Sequence, residues 1–259
     1  MTVNDAKQRF SNRVADYVRY RPGYPAEALV LLRTECGLRS GHVIADIGSG
    51  TGFLSELFLK NGNRVYGVEP NKDMRQAGEA YLAAYDGFSS IEGSAEATTL
   101  DDATVDFVTA GQSFHWFEPD AARREFARIL KPSGWAVVLW NDRRMEEASF
   151  TRAYEDLLER FGIDYKKVKD SYPETERIRS FFSTFSERDL PNYQVLDWEG
   201  LSGRLRSSSF TPTEGHPNFA PMMQELRRIY EAHQQNGQVR MDYFTRVYFG
   251  PLGREGTVA

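Results

Sequence analysis

Three glycines, each separated by one residue, follow directly after a short apolar run of this 259-residue sequence. The run is Val43 to Ile47. Gly48, Gly50 and Gly52 come after it, and a helix is predicted to begin at Phe53. Glycine can adopt positive φ and lets the backbone approach a ligand without a Cβ in the way. A strand, a glycine-rich turn and a helix in this order hold a nucleotide-like ligand at the carboxyl end of a strand. The stretch therefore predicts a binding site of that kind.

The spacing of the glycines distinguishes between two adenosine-containing ligands. A dinucleotide site uses G-x-G-x-x-G, which would place the third glycine where this chain has Phe53. The observed order is G-x-G-x-G, with Asp46 two positions before it and Glu69 at the end of the next predicted strand. A carboxylate can accept two hydrogen bonds from a vicinal diol. A dehydrogenase with a degenerate fingerprint is the alternative for the turn, and a helix-capping or surface acid is the alternative for Glu69.

The combination of Asp46, the glycine turn and Glu69 resembles the motifs of class I S-adenosylmethionine (AdoMet)-dependent methyltransferases. Three further segments are similar to that family, and they are Glu69 to Met74, Gly93 to Glu96 and Leu130 to Trp135. Together the motifs cover residues 41 to 140. The resemblance implies that AdoMet is the cofactor and S-adenosylhomocysteine the product.

The same resemblance implies roles for individual residues. It places the glycine turn beside the methionine part of AdoMet, and it makes Glu69 the acceptor for both ribose hydroxyls. It also packs Met74 on the adenine, although plain core packing is the other interpretation of this side chain. The residues expected to bind the cofactor are Arg21, Asp46, Gly48, Ser49, Gly50, Gly52, Glu69, Pro70, Met74, Ser94, Ala95, Glu96, Gly111 and Gln112.

A finer resemblance concerns segments near the two ends and after the fourth strand, namely Phe10 to Tyr17, Tyr20 to Pro25, Gln112 to Phe117 and Trp198 to Ser209. They are similar to the small-molecule branch that includes trans-aconitate-type methyltransferases and methyltransferase type 11 domain proteins. Such enzymes close the site with an amino-terminal segment, which implies that Tyr17, Tyr20 or Arg21 faces the AdoMet carboxylate. The planar fork of arginine suits a carboxylate. A rigid surface turn is the alternative for the residues around Pro22.

His115 and Trp116 follow the fourth predicted strand, at the edge where a parallel sheet presents residues to its ligand. Methyl transfer is an in-line displacement that chiefly requires alignment of the nucleophile and exclusion of water. A base is needed only where the acceptor must lose a proton. His115 is therefore a candidate general base or a substrate-lining residue, and Trp116 is a candidate apolar wall. Tyr17 and Tyr20 complete the expected substrate lining.

Composition bounds the class of protein. Hydrophobic residues make up 41% of the chain and charged residues 27%, which is typical of a globular protein. The formal net charge is −5, so we expect no nucleic-acid partner. The longest apolar stretch, Trp135 to Trp140, is too short to span a bilayer, and Met1 to Arg9 lacks the apolar region of a signal peptide. One cysteine, Cys36, fits a reducing compartment, and we expect a cytoplasmic location. No metal-ligand spacing occurs, so we expect no metal.

Periodicity predicts strands that alternate with helices as far as Trp140, which indicates βαβ units and a mostly parallel sheet. The predicted strands are 43–47, 64–69, 90–92, 105–110, 135–140, 192–198 and 239–249, and a tight turn is expected at 131–134. The expected fold is α/β: a Rossmann-like, doubly wound, seven-stranded sheet with its last strand antiparallel, helices on both faces and a helical cap. We expect a single methyltransferase domain over 1–259, with the AdoMet-binding core at 36–141 and an insertion or cap with substrate-side elements at 142–240. Residues 163–179 are predicted to be rich in loops.

These inferences combine into a functional hypothesis. We expect an AdoMet-dependent methyltransferase whose partner is a small-molecule acceptor, with oxygen as the accepting atom and a carboxylate as one form of it. A tRNA or protein methyltransferase and a non-catalytic AdoMet-binding protein are the alternatives, because fold does not fix substrate. The sequence gives no indication of the oligomeric state.

Overall fold

The computed structural model describes residues 19–147, 149–169, 175–182 and 184–252. Seven strands form one sheet in the order β3-β2-β1-β4-β5-β7-β6. The strands are β1 (Val43–Ile47), β2 (Arg64–Val68), β3 (Phe88–Ile91), β4 (Val105–Gly111), β5 (Leu130–Arg143), β6 (Ser186–Leu196) and β7 (Val239–Gly250). The first five strands are parallel, while β7 is antiparallel to both of its neighbours. The expected fold class is confirmed.

Helices of the described chain cover both faces of the sheet and extend beyond it. They are α1 (Glu27–Cys36), α2 (Phe53–Lys60), α3 (Lys72–Tyr81), a 3-10 turn (Phe114–Trp116), α4 (Pro119–Ile129), α5 (Phe150–Phe161), α6 (Tyr165–Lys169), α7 (Thr175–Phe181), α8 (Trp198–Arg206) and α9 (Phe219–His233). We call α5, α6, α8 and α9 the cap, because they share a hydrophobic cluster with the first half of β7.

Three expectations from periodicity were wrong in detail. Residues 163–179, expected to be loops, contain the short helices α6 and α7. Strand β6 begins at Ser186, well before the predicted start at Asn192, because it pairs along its whole length with β7. Residues 131–134 lie within β5 as a bulge: the partner of Val105 is Leu130, and the partner of Phe107 is already Trp135. In each case pairing or packing with a distant element determined the local structure.

The order of the strands indicates at which edge of the sheet a ligand binds. From β1 the chain winds outward to β2 and β3, then returns to β4 on the other side of β1. Ligands of such sheets bind beyond the carboxyl ends of the strands, at the point where the winding reverses. That point lies between β1 and β4, and therefore between the glycine turn and the Gly111-Gln112 segment.

The amino-terminal segment 19–25, which we call the strap, lies across the sheet and the cap. The carbonyl of Gly23 accepts hydrogen bonds from the side-chain amides of Asn141 (3.2 Å) and Asn192 (3.0 Å). The carbonyl of Tyr20 accepts one from Gln194 Nε2 (3.0 Å), and Arg21 Nη2 donates to the carbonyl of Ser207 (3.1 Å). These bonds join the strap to β5, to β6 and to the end of α8.

No helix in the described ranges combines the length and the apolar character that crossing a membrane requires.

Candidate active site

The glycine turn is held by the neighbouring strand. The backbone N–H groups of Gly48 and Ser49 both donate to the carbonyl of Val68, at 2.8 and 3.2 Å. Gly48 has φ +67°, and a Cβ built on it would lie 2.6 Å from the Cβ of Ser113. Glycine is therefore required at this position both by conformation and by space.

Asp46 lies at the end of β1, almost fully buried beneath the turn. Its carboxylate accepts hydrogen bonds from the hydroxyls of Ser55 (2.7 Å) and Thr109 (3.2 Å). Burial raises the pKa of Asp46 to about 6, although the two hydroxyls favour the charged form and lower it. The side chain is thus an anion above pH 6 that lines the cavity described below.

Glu69 connects the turn to the start of α3. Its Oε2 accepts the N–H of Gly50 (3.0 Å), and its Oε1 accepts the N–H of Asn71 (2.8 Å). Asn71 in turn caps α3 through its side-chain oxygen, which accepts the N–H groups of Asp73 and Met74. A carboxylate has about four lone-pair sites, so each oxygen of Glu69 can accept a further hydrogen bond from a diol.

Helix α3 approaches the turn closely at two residues. The Cε of buried Met74 would lie 3.3 Å from a Cβ built on Gly50, and a Cβ on Gly78 would lie 3.1 Å from the carbonyl oxygen of Gly50. Sequence reasoning did not identify Gly78 as part of the site. The available signal was a glycine inside an otherwise helical pattern, which indicates a close approach when it has a packing reason.

The segment 94–97 forms a tight turn beside the core. Ser94 and Ala97 exchange backbone hydrogen bonds, and Ala95 is buried. Glu96 accepts the backbone N–H of Glu118 at 2.9 Å, just before α4 begins. Ser94, Ala95 and Glu96 do not line the cavity described below, and their contact with the adenine stays a prediction.

A cavity of about 120 Å³ lies between the glycine turn, the end of β4, the strap and the segment that follows α8. The predicted site residues that line it are Arg21, Asp46, Gly48, Ser49, Gly50, Gly111, Gln112, His115 and Trp116. The predicted residues outside its lining are Tyr20, Gly52, Glu69, Pro70, Met74, Ser94, Ala95 and Glu96. Tyr17 lies outside the described residues.

Residues that sequence reasoning missed complete the wall of the cavity. They are Pro22, Tyr24, Thr51, Phe53, Leu54, Trp140, Ser209 and Phe210. Trp140 could have been found, because the predicted strand beside β4 ends at this residue and would carry it to the same sheet edge. Phe210 carries no local signal, since only the packing of the cap brings it to the sheet.

His115 lies in an aromatic corner of the cavity. Its ring centroid is 4.5 Å from that of Trp116 and 5.1 Å from that of Trp140, which meets it edge-on. Burial, with a smaller contribution from the positive charge of Arg177, lowers the pKa of His115 to about 3. The imidazole is therefore neutral at physiological pH, and it is better suited to orient a ligand by hydrogen bonding than to take a proton.

Two buried side-chain oxygens of cavity-lining residues have no hydrogen-bond partner among the described residues. Gln112 has φ +57°, its N–H donates to the carbonyl of Leu139, and its Nε2 lies 3.4 Å from the carbonyl of Asn141. Its Oε1, and the Oγ1 of Thr51, are buried without a hydrogen-bond partner in the part of the chain that the structure describes. Buried polar atoms of native proteins are normally satisfied, so both oxygens fit contacts to a bound ligand.

Tyr20 has a structural position in the strap. Its ring lies against Gly203 of α8, so closely that a Cβ there would collide with it, and its hydroxyl donates to Glu199 (3.1 Å). Arg21, the next residue, does reach the cavity.

The described ranges contain no group of three histidine, cysteine or acidic side chains placed to hold a metal.

A doubly wound sheet with a glycine turn after β1, a buried acid below it and a second acid after β2 defines the class I methyltransferase fold. Comparison with known proteins shows that the chain belongs to the AdoMet-dependent methyltransferases. Residues 45–138 match the family model described as a methyltransferase domain. The chain is 34% identical over 229 residues to an uncharacterized methyltransferase of Mycobacterium tuberculosis, covering 88% of each chain. It is 26% identical over 253 residues to one of Schizosaccharomyces pombe, covering 92% of this chain and 95% of the relative.

Solved structures show the same fold at lower identity. A protein from Anaeromyxobacter dehalogenans, provisionally described as a type II methyltransferase, aligns with a TM-score of 0.62 at 19% identity, over 90% of this chain and 98% of its own. A phosphoethanolamine N-methyltransferase of Haemonchus contortus, solved with phosphomonomethylethanolamine and S-adenosylhomocysteine, aligns with a TM-score of 0.57 at 13% identity. That alignment covers 96% of this chain and 59% of the other. These similarities are evidence for the fold alone.

Proposed function

We propose that this protein transfers the methyl group of AdoMet to a small molecule, at an oxygen atom. The observation that carries the proposal is the cavity of about 120 Å³, which the strap and the residues after α8, Ser209 and Phe210, border. A space of this size admits the reacting end of a small acceptor. The net charge of −5 disfavours a nucleic-acid acceptor.

The residues around the turn fit AdoMet. Glu69 can hold the ribose diol while it keeps its bonds to Gly50 and Asn71. Asp46 and Arg21 both line the cavity. The negative charge of Asp46 favours the positive charge of the methionine part of AdoMet, and the guanidinium of Arg21 suits the carboxylate of that same part. When bound, AdoMet supplies a methyl group attached to its positively charged sulfur. The bond between the sulfur and the methyl carbon breaks as the bond between that carbon and the acceptor oxygen forms, and S-adenosylhomocysteine is the product.

The protein side chains align the acceptor and exclude water. Trp116 and Trp140 form the apolar wall, and neutral His115 beside them can hydrogen-bond to the accepting oxygen. Because the conjugate acid of His115 has a pKa of about 3, this imidazole is a weak base. An acceptor oxygen that carries no proton at neutral pH, such as that of a carboxylate, fits this environment best.

Two measurements test the proposal. Isothermal titration should detect binding of AdoMet and of S-adenosylhomocysteine, and failure to bind either would refute the cofactor. Methyl-labelled AdoMet should then be incubated with the protein and a cell extract that is separated into small-molecule and macromolecular fractions. Label in the small-molecule fraction is the expected result, whereas label in protein or tRNA would contradict the choice of acceptor class. Binding without any transfer would favour a non-catalytic AdoMet-binding protein.

The same proposal includes a cytoplasmic location and no membrane partner. The sequence has a single cysteine, Cys36, so it can form no internal disulfide, which fits a reducing compartment. Fractionation of the native host would test the location, and recovery with membranes or outside the cell would contradict it.

A further inference from the structure

Three side-chain amides hold the backbone of the strap in place. Asn141 of β5 and Asn192 of β6 both donate from Nδ2 to the carbonyl oxygen of Gly23, at 3.2 and 3.0 Å. Gln194 of β6 donates from Nε2 to the carbonyl oxygen of Tyr20, at 3.0 Å. We call these three side chains the amide clamp. They fix the strap at two separate carbonyl groups.

The orientation of each amide in the clamp is fixed by a donor that bonds to its oxygen. Two of these donors are hydroxyl groups of β7: Thr245 donates to Asn141 Oδ1 at 2.5 Å, and Tyr243 donates to Gln194 Oε1 at 2.9 Å. The amide oxygen of Asn192 accepts the backbone N–H of the residue that follows it, at 2.9 Å. Because each amide oxygen already accepts a hydrogen bond, the NH₂ groups are left to donate to the strap. A carboxylate at these positions would have no such donor.

The sheet does not need the clamp to hold its strands together. Backbone pairing already joins β5 to β7 and β7 to β6 in continuous register. Asn141 is only 7% exposed, and Thr245 is fully buried. Burial of polar side chains costs free energy unless they are hydrogen-bonded, and an apolar pair would pack in the sheet without that cost. The polar groups are therefore explained better by the strap that they bind than by the sheet that carries them.

The clamp lies next to the cavity and holds part of its wall. Arg21 and Pro22 lie between the two held carbonyls, and both line the cavity. Tyr24, just beyond the second carbonyl, lines it too. Asn141 directly follows another residue of the lining, Trp140. A shift of either held carbonyl would therefore move the part of the wall that contains Arg21.

We propose that the amide clamp positions Arg21 for binding of the cofactor. This inference rests on the proposed function, in which the guanidinium of Arg21 binds the carboxylate of AdoMet and of S-adenosylhomocysteine. The cavity lining includes none of the three amides, so Asn141, Asn192 and Gln194 act through the strap backbone and are positioning residues. The guanidinium also donates to the carbonyl of Ser207 at 3.1 Å, so this bond and the held backbone together orient it.

The test measures binding of S-adenosylhomocysteine to the full chain by isothermal titration. Asn192→Leu and Gln194→Met each remove one bond to the strap, nearly keep the size of the side chain and add no charge. Each should weaken binding about threefold, and the two together about tenfold, as expected for the loss of neutral hydrogen bonds. Asn218→Leu is the matched control and should leave the affinity unchanged. It removes a bond of the same kind inside the cap, from Nδ2 to the carbonyl of Phe161 (3.3 Å).

A double-mutant cycle with Arg21→Gln separates positioning of this arginine from a general loss of structure. If the clamp acts through Arg21, adding both clamp substitutions to Arg21→Gln should weaken binding less than about twofold further. Additive losses would overturn the inference, because the clamp would then act elsewhere. An equal loss of affinity in Asn218→Leu, or an unchanged affinity in Arg21→Gln, would overturn it as well.

The outcomes distinguish this inference from the proposed function. If the unmodified protein fails to bind S-adenosylhomocysteine, the proposed function is refuted and this inference with it. If the unmodified protein binds it and the clamp substitutions have no effect, only this inference is overturned. Urea unfolding shows whether each variant is folded. If the doubly substituted chain does not fold, Asn192→Leu and Gln194→Met decide separately through the same cycle.

Discussion

The carboxylate of Glu69 accepts a hydrogen bond from the backbone N–H of Gly50, at 3.0 Å. This bond joins the acid after β2 to the centre of the glycine turn after β1. It orients one carboxylate oxygen and fixes the turn in the same contact, so the two motifs form one unit. A change at Glu69 is therefore expected to affect both the ribose contact and the shape of the turn.

Replacing Glu69 by glutamine should weaken S-adenosylhomocysteine binding by at least about tenfold, equivalent to ~1.4 kcal/mol. Glutamine keeps the size of the side chain, but it loses the charge and one of the two acceptor oxygens, and a hydrogen bond to a charged group contributes about 1.5–3 kcal/mol. Isothermal titration measures the effect. Glu92→Gln is the matched control, because Glu92 is an exposed acid of the same region whose partner is Arg75. Equal affinities of the two variants would contradict the role of Glu69.

Gly48→Ala should lose more stability than Gly37→Ala, and only the former should lose cofactor binding. Both glycines have nearly the same positive φ, +67° and +66°, so both substitutions introduce backbone strain of about 1–2 kcal/mol. A Cβ on Gly37 has no heavy atom within 4 Å, whereas a Cβ on Gly48 meets the side chain of Ser113 at 2.6 Å. Urea unfolding and titration with S-adenosylhomocysteine measure the two effects. Similar losses in both variants would show that φ alone, and not close packing, explains why glycine is needed at position 48.

The protein without cofactor should become less stable as the pH rises from 4 to 6, because the buried carboxyl of Asp46 then loses its proton. Burial raises the pKa of Asp46 from 3.8 to about 6, so the folded state retains a proton that the unfolded state releases in this range. The free energy of unfolding should fall across this window by up to about 3 kcal/mol and stay lower above it. Urea unfolding at a series of pH values should show a shallower fall for Asp46→Asn. The same slope in both proteins would mean that burial does not shift this carboxyl.

His115 should remain neutral from pH 8 down to pH 5. Burial lowers its pKa to about 3, so its imidazole carbon-bound protons should keep constant NMR chemical shifts over this range. The chain has four histidines, and the spectrum of His115→Gln identifies the signal of this one by its absence. A titration midpoint between pH 6 and 7 would contradict the expected pKa and would strengthen the case for His115 as a general base.

Elements with local signals could be predicted from the sequence. β1 and α2 begin and end at the predicted residues, and Gly48, Gly50 and Gly52 all have positive φ as their spacing indicates. The reason is that strand periodicity and turn chemistry depend on a few consecutive side chains. The cofactor family followed from short motifs of the same kind, and the glycine turn and Glu69 lie at carboxyl ends of neighbouring strands, where the fold presents them to one edge.

The lining of the cavity could be established only from the packing of the folded chain. Phe210 reaches the cavity through the packing of the cap, and Tyr20, expected in the lining, instead lies against Gly203. Arg204 is almost fully buried although it is an arginine, and no period or motif predicts that burial. Such contacts depend on how helices of the cap pack on β7, and that packing is the sum of many small burial energies rather than of any local pattern. The short motifs of the sequence therefore indicate AdoMet as the methyl donor, whereas the shape of the cavity depends on how distant parts of the chain pack together.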